Sequence, residues 1–143
     1  MSFASFVFIN REESIMLNML KFICYPKCTT CQKAKKWLDD NNIAYELRDI
    51  KNENPTLDEL TEWYKKSGLP LKKFFNTSGL LYKSLNLKNK LPEMSEAEML
   101  ALLATDGMLV KRPLLIGENV VLVGFKESEL REHLCSLSCI NVD

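Results

Sequence analysis

Cys28 and Cys31 stand two residues apart in CYPKCTTCQKAKKWL, the stretch from Cys24 to Leu38. A C-x-x-C pair has three physical readings: a redox dithiol, half of a zinc site, or two packed thiols with no chemistry. In the redox reading Cys28 lies where a strand ends and a helix begins. There, free backbone N–H groups and the helix dipole stabilise a thiolate. Lys27 adds a positive charge, and Thr29 and Thr30 add hydroxyl donors. Each of these pulls a thiol below its free value of about 8.5, and the thiolate is the nucleophile. Cys31 is less than one helical turn away, within disulfide reach after modest adjustment. Cys28 would attack an oxidised substrate, and Cys31 would resolve the mixed disulfide.

A zinc site needs four ligands. Beyond the pair, the candidates are His133, Cys135 and Cys139 at the far end of the chain, whose H-x-C-x3-C spacing is not a standard half-site. Cys24 shares a strand face with Phe22 and reads as a small core residue. Cys135 and Cys139 would share one side of a helix and read as surface or packing residues. A second feature is Lys111-Arg112-Pro113, just before an apolar run. Proline is tolerated at the first residue of a strand or at an edge. A cis bond there would leave an open face where a thiolate could dock, with Arg112 as its anion partner. The plainer reading is a basic pair in a loop.

Certain elements must position these residues. Leu20 to Tyr25 is apolar on both faces, as a buried strand requires. A turn containing Pro26 leads into a helix whose stripe runs through Cys31, Ala34, Trp37 and Leu38, and Asn41-Asn42 stops it. Ile43 to Ile50 alternates like a second strand and completes a βαβ unit of about 30 residues. Pro55-Thr56 opens a second helix, with Thr56 as N-cap, Asp58 and Glu59 at its positive start and Gly68 at its end. Leu69 to Lys90 reads as short helical turns. Ser95 and Glu98 form a capping box for a further helix. Leu114 to Ile116 and Val120 to Val123 flank Gly117-Glu118-Asn119 as a hairpin, and Glu127 to Leu134 is a last amphipathic helix. This order predicts an α/β fold with a mixed sheet flanked by helices.

The totals agree with one domain. The chain has 143 residues, 46% of them hydrophobic, with 19 Lys plus Arg against 19 Asp plus Glu. Zero net charge offers no global attraction to nucleic acid or an anionic membrane, and Lys33, Lys35 and Lys36 read as a solvated helix face. Five cysteines in a chain with an ample core fit a reducing cytosol better than a disulfide framework. No apolar run approaches the roughly 18 residues a membrane span needs. The opening MSFASFVFIN lacks the basic region of a signal peptide.

CYPKCTTCQKAKKWLDDNNIAYELRDI, the K-x3-P-T-x-x-E-L helix start and G-x-L-V-K-R-P-L together resemble the ArsC/Spx family of arsenate reductase-related proteins. The resemblance runs from Met19 to Leu134. It implies a thioredoxin-like fold with a helical insertion, Cys28 as the nucleophile, Pro113 as a cis-proline and Arg112 as the arginine facing the thiolate. It also implies a thiol-dependent reductase without a cofactor, with glutathione or thioredoxin as electron donor. The Spx branch implies instead a redox-sensing regulator that binds the RNA polymerase alpha subunit. Arsenate reductases of this type carry further arginines near Phe74-Phe75-Asn76-Thr77 and near Val123-Gly124-Phe125, where this chain has none. Spx proteins carry an arginine in the middle region and a basic tail, and here the tail reads CSLSCINVD. Residues 1–18 stand before the family's usual start, as a misassigned start or an amphipathic arm, and 135–143 form a tail.

Overall fold

The computed structural model describes residues 19–135. The expected N-terminal extension, residues 136–143 and Cys139 lie outside that range. Four strands form one sheet in the order β2-β1-β3-β4. β1 (Leu20–Cys24) pairs parallel with β2 (Tyr45–Asp49) and antiparallel with β3 (Leu114–Ile116), which pairs antiparallel with β4 (Val121–Val123). The parallel pair is joined by α1 (Thr29–Asp40), the right size of crossover for a βαβ unit.

Strand alternation divides the core into two layers. Leu20, Phe22 and Cys24 of β1 point to one face with Leu115 and Leu122, where α1 supplies Cys31, Ala34, Trp37 and Leu38. α6 (Glu127–Leu130) closes that layer with Leu130. Ile23, Leu114, Ile116 and Val121 point to the other face. There they meet α2 (Leu57–Ser67), the short helices α3 (Leu80–Ser84) and α4 (Leu87–Lys90), and α5 (Glu96–Leu103). This is the mixed α/β sheet flanked by helices that the pattern predicts.

Local chemistry sets the helix ends. Asn42 takes a left-handed φ of 57° beyond α1. Thr56 and Glu59 form a full capping box on α2, as do Ser95 and Glu98 on α5, and Gly68 ends α2 at φ 69°. On the outer face of α1, Lys35–Asp39 and Lys36–Asp40 are exposed i,i+4 pairs, so this lysine cluster is a solvated face. Gly107 has a steric role instead: a Cβ there would sit 1.8 Å from the Ile50 carbonyl oxygen, so the loop after α5 packs against the end of β2 only as glycine.

Two expected elements differ in extent. The second strand covers Tyr45–Asp49 rather than Ile43 to Ile50, and Leu47 is 53% exposed. It is a sheet edge, so β1 gives it partners on one side only. The last helix is α-helical only through Leu130, and Arg131–Cys135 continue as a wider π turn.

The strongest polar tie links β2 to α2. Arg48 donates to both oxygens of Glu59, at 2.7 and 2.8 Å, and to the Glu53 and Asn54 carbonyls. Arg48 and the capping-box hydrogen bonds hold the Glu59 carboxyl down at about 2. A carboxylate with a depressed folded-state pKa stabilises the fold above its unfolded value near 4.5 and loses that contribution as pH falls toward 2. Arg48→Met is therefore expected to cost about 1.5–3 kcal/mol at neutral pH. It should also flatten the acid side of the stability curve between pH 4.5 and 2, measured by urea unfolding at stepped pH.

Candidate functional site

β1 ends at Cys24, whose carbonyl accepts the Ile50 N–H at 2.8 Å. The chain then turns through Tyr25, Pro26 and Lys27, and the Cys28 N–H donates to the Tyr25 carbonyl at 2.9 Å. The Gln32 side chain donates to the Pro26 carbonyl at 3.1 Å and ties the turn to α1. Cys28 is the N-cap of that helix, in extended backbone (φ −87°, ψ 125°) and half-buried. Its carbonyl accepts the Gln32 N–H and starts the helical ladder. Lys27, Thr29 and Thr30 are exposed around it.

Cys31 faces inward and is 2% exposed. Its sulfur accepts the Tyr25 N–H at 3.3 Å. A hydrogen bond with Cys24 and burial push its thiol well above the ordinary range. The two cysteines of the motif are therefore unequal: Cys28 is half-buried at a helix N-terminus, while Cys31 is buried in the core layer below the sheet face. All three described cysteines around this turn are free thiols.

Arg112 and Pro113 come to the same end of the sheet, just ahead of β3. The Arg112–Pro113 bond is cis, and Pro113 is buried. The Arg112 guanidinium lies 5.3 Å over the Tyr25 ring and donates weakly to the Met108 carbonyl at 3.5 Å. Its Nε is buried with no hydrogen-bond partner among the described residues. Tyr25 thus links the cysteine turn to the arginine loop. Its ring carries the cation, its carbonyl holds Cys28 and its N–H holds Cys31. Sequence reading overlooked Tyr25, although it lies within the quoted motif.

The segments where the resemblance places further arginines do flank this loop. Lys111 N–H donates to the Phe74 carbonyl at 2.7 Å, Asn76 N–H donates to the Leu109 carbonyl at 2.8 Å, and Gly124 N–H donates to the Pro113 carbonyl at 2.8 Å. They bring Phe74, Phe75, Asn76 and Gly124 there, so Arg112 is the arginine of the loop. A groove of about 920 Å³ begins beyond Lys111, along the β4 edge, and gathers Lys66, Lys72, Lys73 and Lys126. Cys28, Cys31 and Arg112 are not in its lining. His133, a candidate for metal binding from sequence, is exposed on the π turn after α6. Among the described residues no three His, Cys, Asp or Glu side chains cluster to hold a metal.

The ArsC family model matches residues 24–133. The chain belongs to the ArsC family. This ArsC family chain is 54% identical over 114 residues to the uncharacterized protein YusI of Bacillus subtilis, covering 80% of this chain and 97% of YusI. It is 29% identical over 116 residues to the global transcriptional regulator Spx of Staphylococcus haemolyticus, covering 81% of this chain and 87% of Spx. A solved structure of an ArsC family related protein from Bacteroides fragilis superimposes with a TM-score of 0.78 at 59% identity, covering 79% of this chain and 95% of that one. The fold is thioredoxin-like, as the resemblance implies, and no described helix is long and apolar enough to cross a membrane.

The unequal burial of the thiols sets their reactivity. In the folded protein iodoacetamide is expected to modify Cys28 and to leave Cys24 and Cys31 untouched between about pH 7 and 9. All three should react once the chain is unfolded, as peptide mapping of the adducts would show.

Proposed function

We propose that the chain is a cytosolic thiol–disulfide oxidoreductase in which Cys28 is the nucleophile and Cys31 the resolving thiol. The observation that carries this reading is the asymmetry of the pair: Cys28 half-buried at the N-cap of α1, Cys31 buried beneath it with its thiol pushed up. A nucleophile must meet its substrate in solvent, and a resolving thiol must stay protonated until the mixed disulfide forms beside it.

The Cys28 thiolate attacks one sulfur of an oxidised substrate. The substrate disulfide breaks, and its second sulfur leaves as a thiolate that takes up a proton. Cys31 then loses its proton and attacks Cys28, forming the Cys28–Cys31 disulfide and releasing the rest of the substrate as a thiol. Two electrons have passed from the dithiol to the substrate. A thiol donor such as glutathione or thioredoxin restores the dithiol by the same exchange in reverse. Arg112, whose guanidinium lies over the Tyr25 ring, holds an anionic group of the substrate or donor. A doubly charged oxyanion such as arsenate is a poorer fit, because strong oxyanion sites use several arginines and this loop has one.

The likeness to Spx supports a second reading, a redox-sensing regulator that binds the RNA polymerase alpha subunit. A pull-down with the alpha C-terminal domain, run on oxidised and reduced protein, separates the two; no binding in either state removes the regulator. A Cys28–Cys31 potential near thioredoxin's roughly −270 mV favours the reductase, and a markedly more oxidising one favours the sensor.

Cys28→Ser is expected to abolish disulfide reductase turnover. Cys31→Ser should instead accumulate a Cys28 mixed disulfide, visible as a mass increase by the half of the substrate that stays attached. Full activity in Cys28→Ser would sink the mechanism.

A further inference from the structure

Cys24 has no role in the two-thiol mechanism, yet it is placed as a participant. It is the last residue of β1 and points to the same sheet face as the inner side of α1. It is 5% exposed and belongs to the same buried cluster as Cys31, against which Cys28 also packs. All three thiols thus converge on one side of the sheet, at the end of β1 and the first turn of α1. The Tyr25 N–H, donated to the Cys31 sulfur at 3.3 Å, holds that sulfur against the peptide bond that joins Cys24 to Tyr25. A thiol placed only to fill core volume needs apolar neighbours; this one adjoins the sulfur that becomes electrophilic when the C-x-x-C pair oxidises.

The geometry points to a three-thiol relay, in which Cys24 takes over the disulfide from the C-x-x-C pair and leaves Cys28 free. This rests on the C-x-x-C redox reading above. Once the Cys28–Cys31 disulfide has formed, Cys24 gives up its proton and its thiolate attacks the Cys31 sulfur. The Cys24–Cys31 bond forms as the Cys28–Cys31 bond breaks, and Cys28 leaves as a thiolate that takes up a proton. The exchange consumes no oxidant or reductant. The two electrons already delivered to substrate then come from Cys24 and Cys31. The oxidising equivalent is stored in the core, beneath Phe22, Ala34 and Leu38 and away from external thiols, while the nucleophile at the surface is ready again. Reduction of the stored disulfide has to return through Cys28, the accessible sulfur of the three.

Trypsin distinguishes the two disulfides, because cleavage after Lys27 places Cys24 in Phe22–Lys27 and both motif cysteines in Cys28–Lys33. The full chain would be oxidised with diamide, quenched in acid, unfolded, alkylated, digested and mapped by mass spectrometry. In the wild type the relay predicts the two peptides joined through Cys24 and Cys31, with Cys28 alkylated, alongside the internal Cys28–Cys31 loop. In Cys28→Ser, which lacks the accessible thiol through which oxidation enters, the joined peptides should be absent, with Cys24 and Cys31 both recovered alkylated. Unchanged far-ultraviolet circular dichroism would confirm that this variant is folded. If the wild type gives only the internal loop, the C-x-x-C reading stands and the relay is overturned. If it gives neither link, the C-x-x-C reading itself fails. Cys24–Cys31-joined peptides persisting in oxidised Cys28→Ser would also overturn the relay, since the buried pair would then oxidise without Cys28.

Discussion

β1 is bonded along both edges, parallel to β2 and antiparallel to β3, and is shielded by helices on both faces. A strand held on all sides cannot shift its register without moving every side chain to the opposite layer. It therefore fixes where the chain must leave the sheet, at Cys24, and hence where α1 must begin. The position of Cys28 at the N-terminus of α1 and the burial of Cys31 against the sheet both follow from that one constraint. Antiparallel pairing with β3 brings the segment before it, Arg112 and Pro113, to the same end of the sheet.

The site is assembled around Tyr25 by few interactions. Its carbonyl and N–H fix the two motif cysteines, and its ring receives the arginine from a segment more than eighty residues downstream. Each contact is modest, since a backbone hydrogen bond contributes about 1 kcal/mol net and an exposed cation–π contact about as much. Their value lies in convergence: one residue sets the relative position of Cys28, Cys31 and Arg112. The polar tie between Arg48 and Glu59 does the corresponding work away from the site, anchoring the edge strand β2 to α2.

The family places this architecture among thioredoxin-like proteins, and the loop around Arg112 shows how its members can diverge on a common frame. The backbone contacts that bring residues 74–76 and 124 against the Arg112–Pro113 loop are all present. The side chains they deliver are uncharged: Phe74, Phe75 and Asn76, with Gly124 bringing none. Arg112 is the guanidinium of this loop, lying over the Tyr25 ring at the end of the turn that leads to Cys28.

Much of this was legible in the residues themselves. The stripe Cys31, Ala34, Trp37, Leu38 has helical period, the boxes Thr56–Glu59 and Ser95–Glu98 cap locally, and Gly117-Glu118-Asn119 makes a tight turn. These depend on interactions within a few positions, which spacing records directly. The lengths of the second strand and last helix were not legible, because side-chain spacing records neither that a strand is paired on one edge only nor that a helix widens into a π turn. The same holds for Cys24. Its alternation with Phe22 identifies it as core, but only packing β1 against α1 sets it beside Cys31. That Arg112 meets Tyr25 is likewise decided by the β1–β3 pairing. Sequence by itself determined the dithiol, its strand–helix setting and the layers of the fold, all products of short-range periodicity and capping. Tertiary structure alone decided which thiol is open, which is buried and what stands next to each, because burial and long-range proximity depend on how distant elements pack.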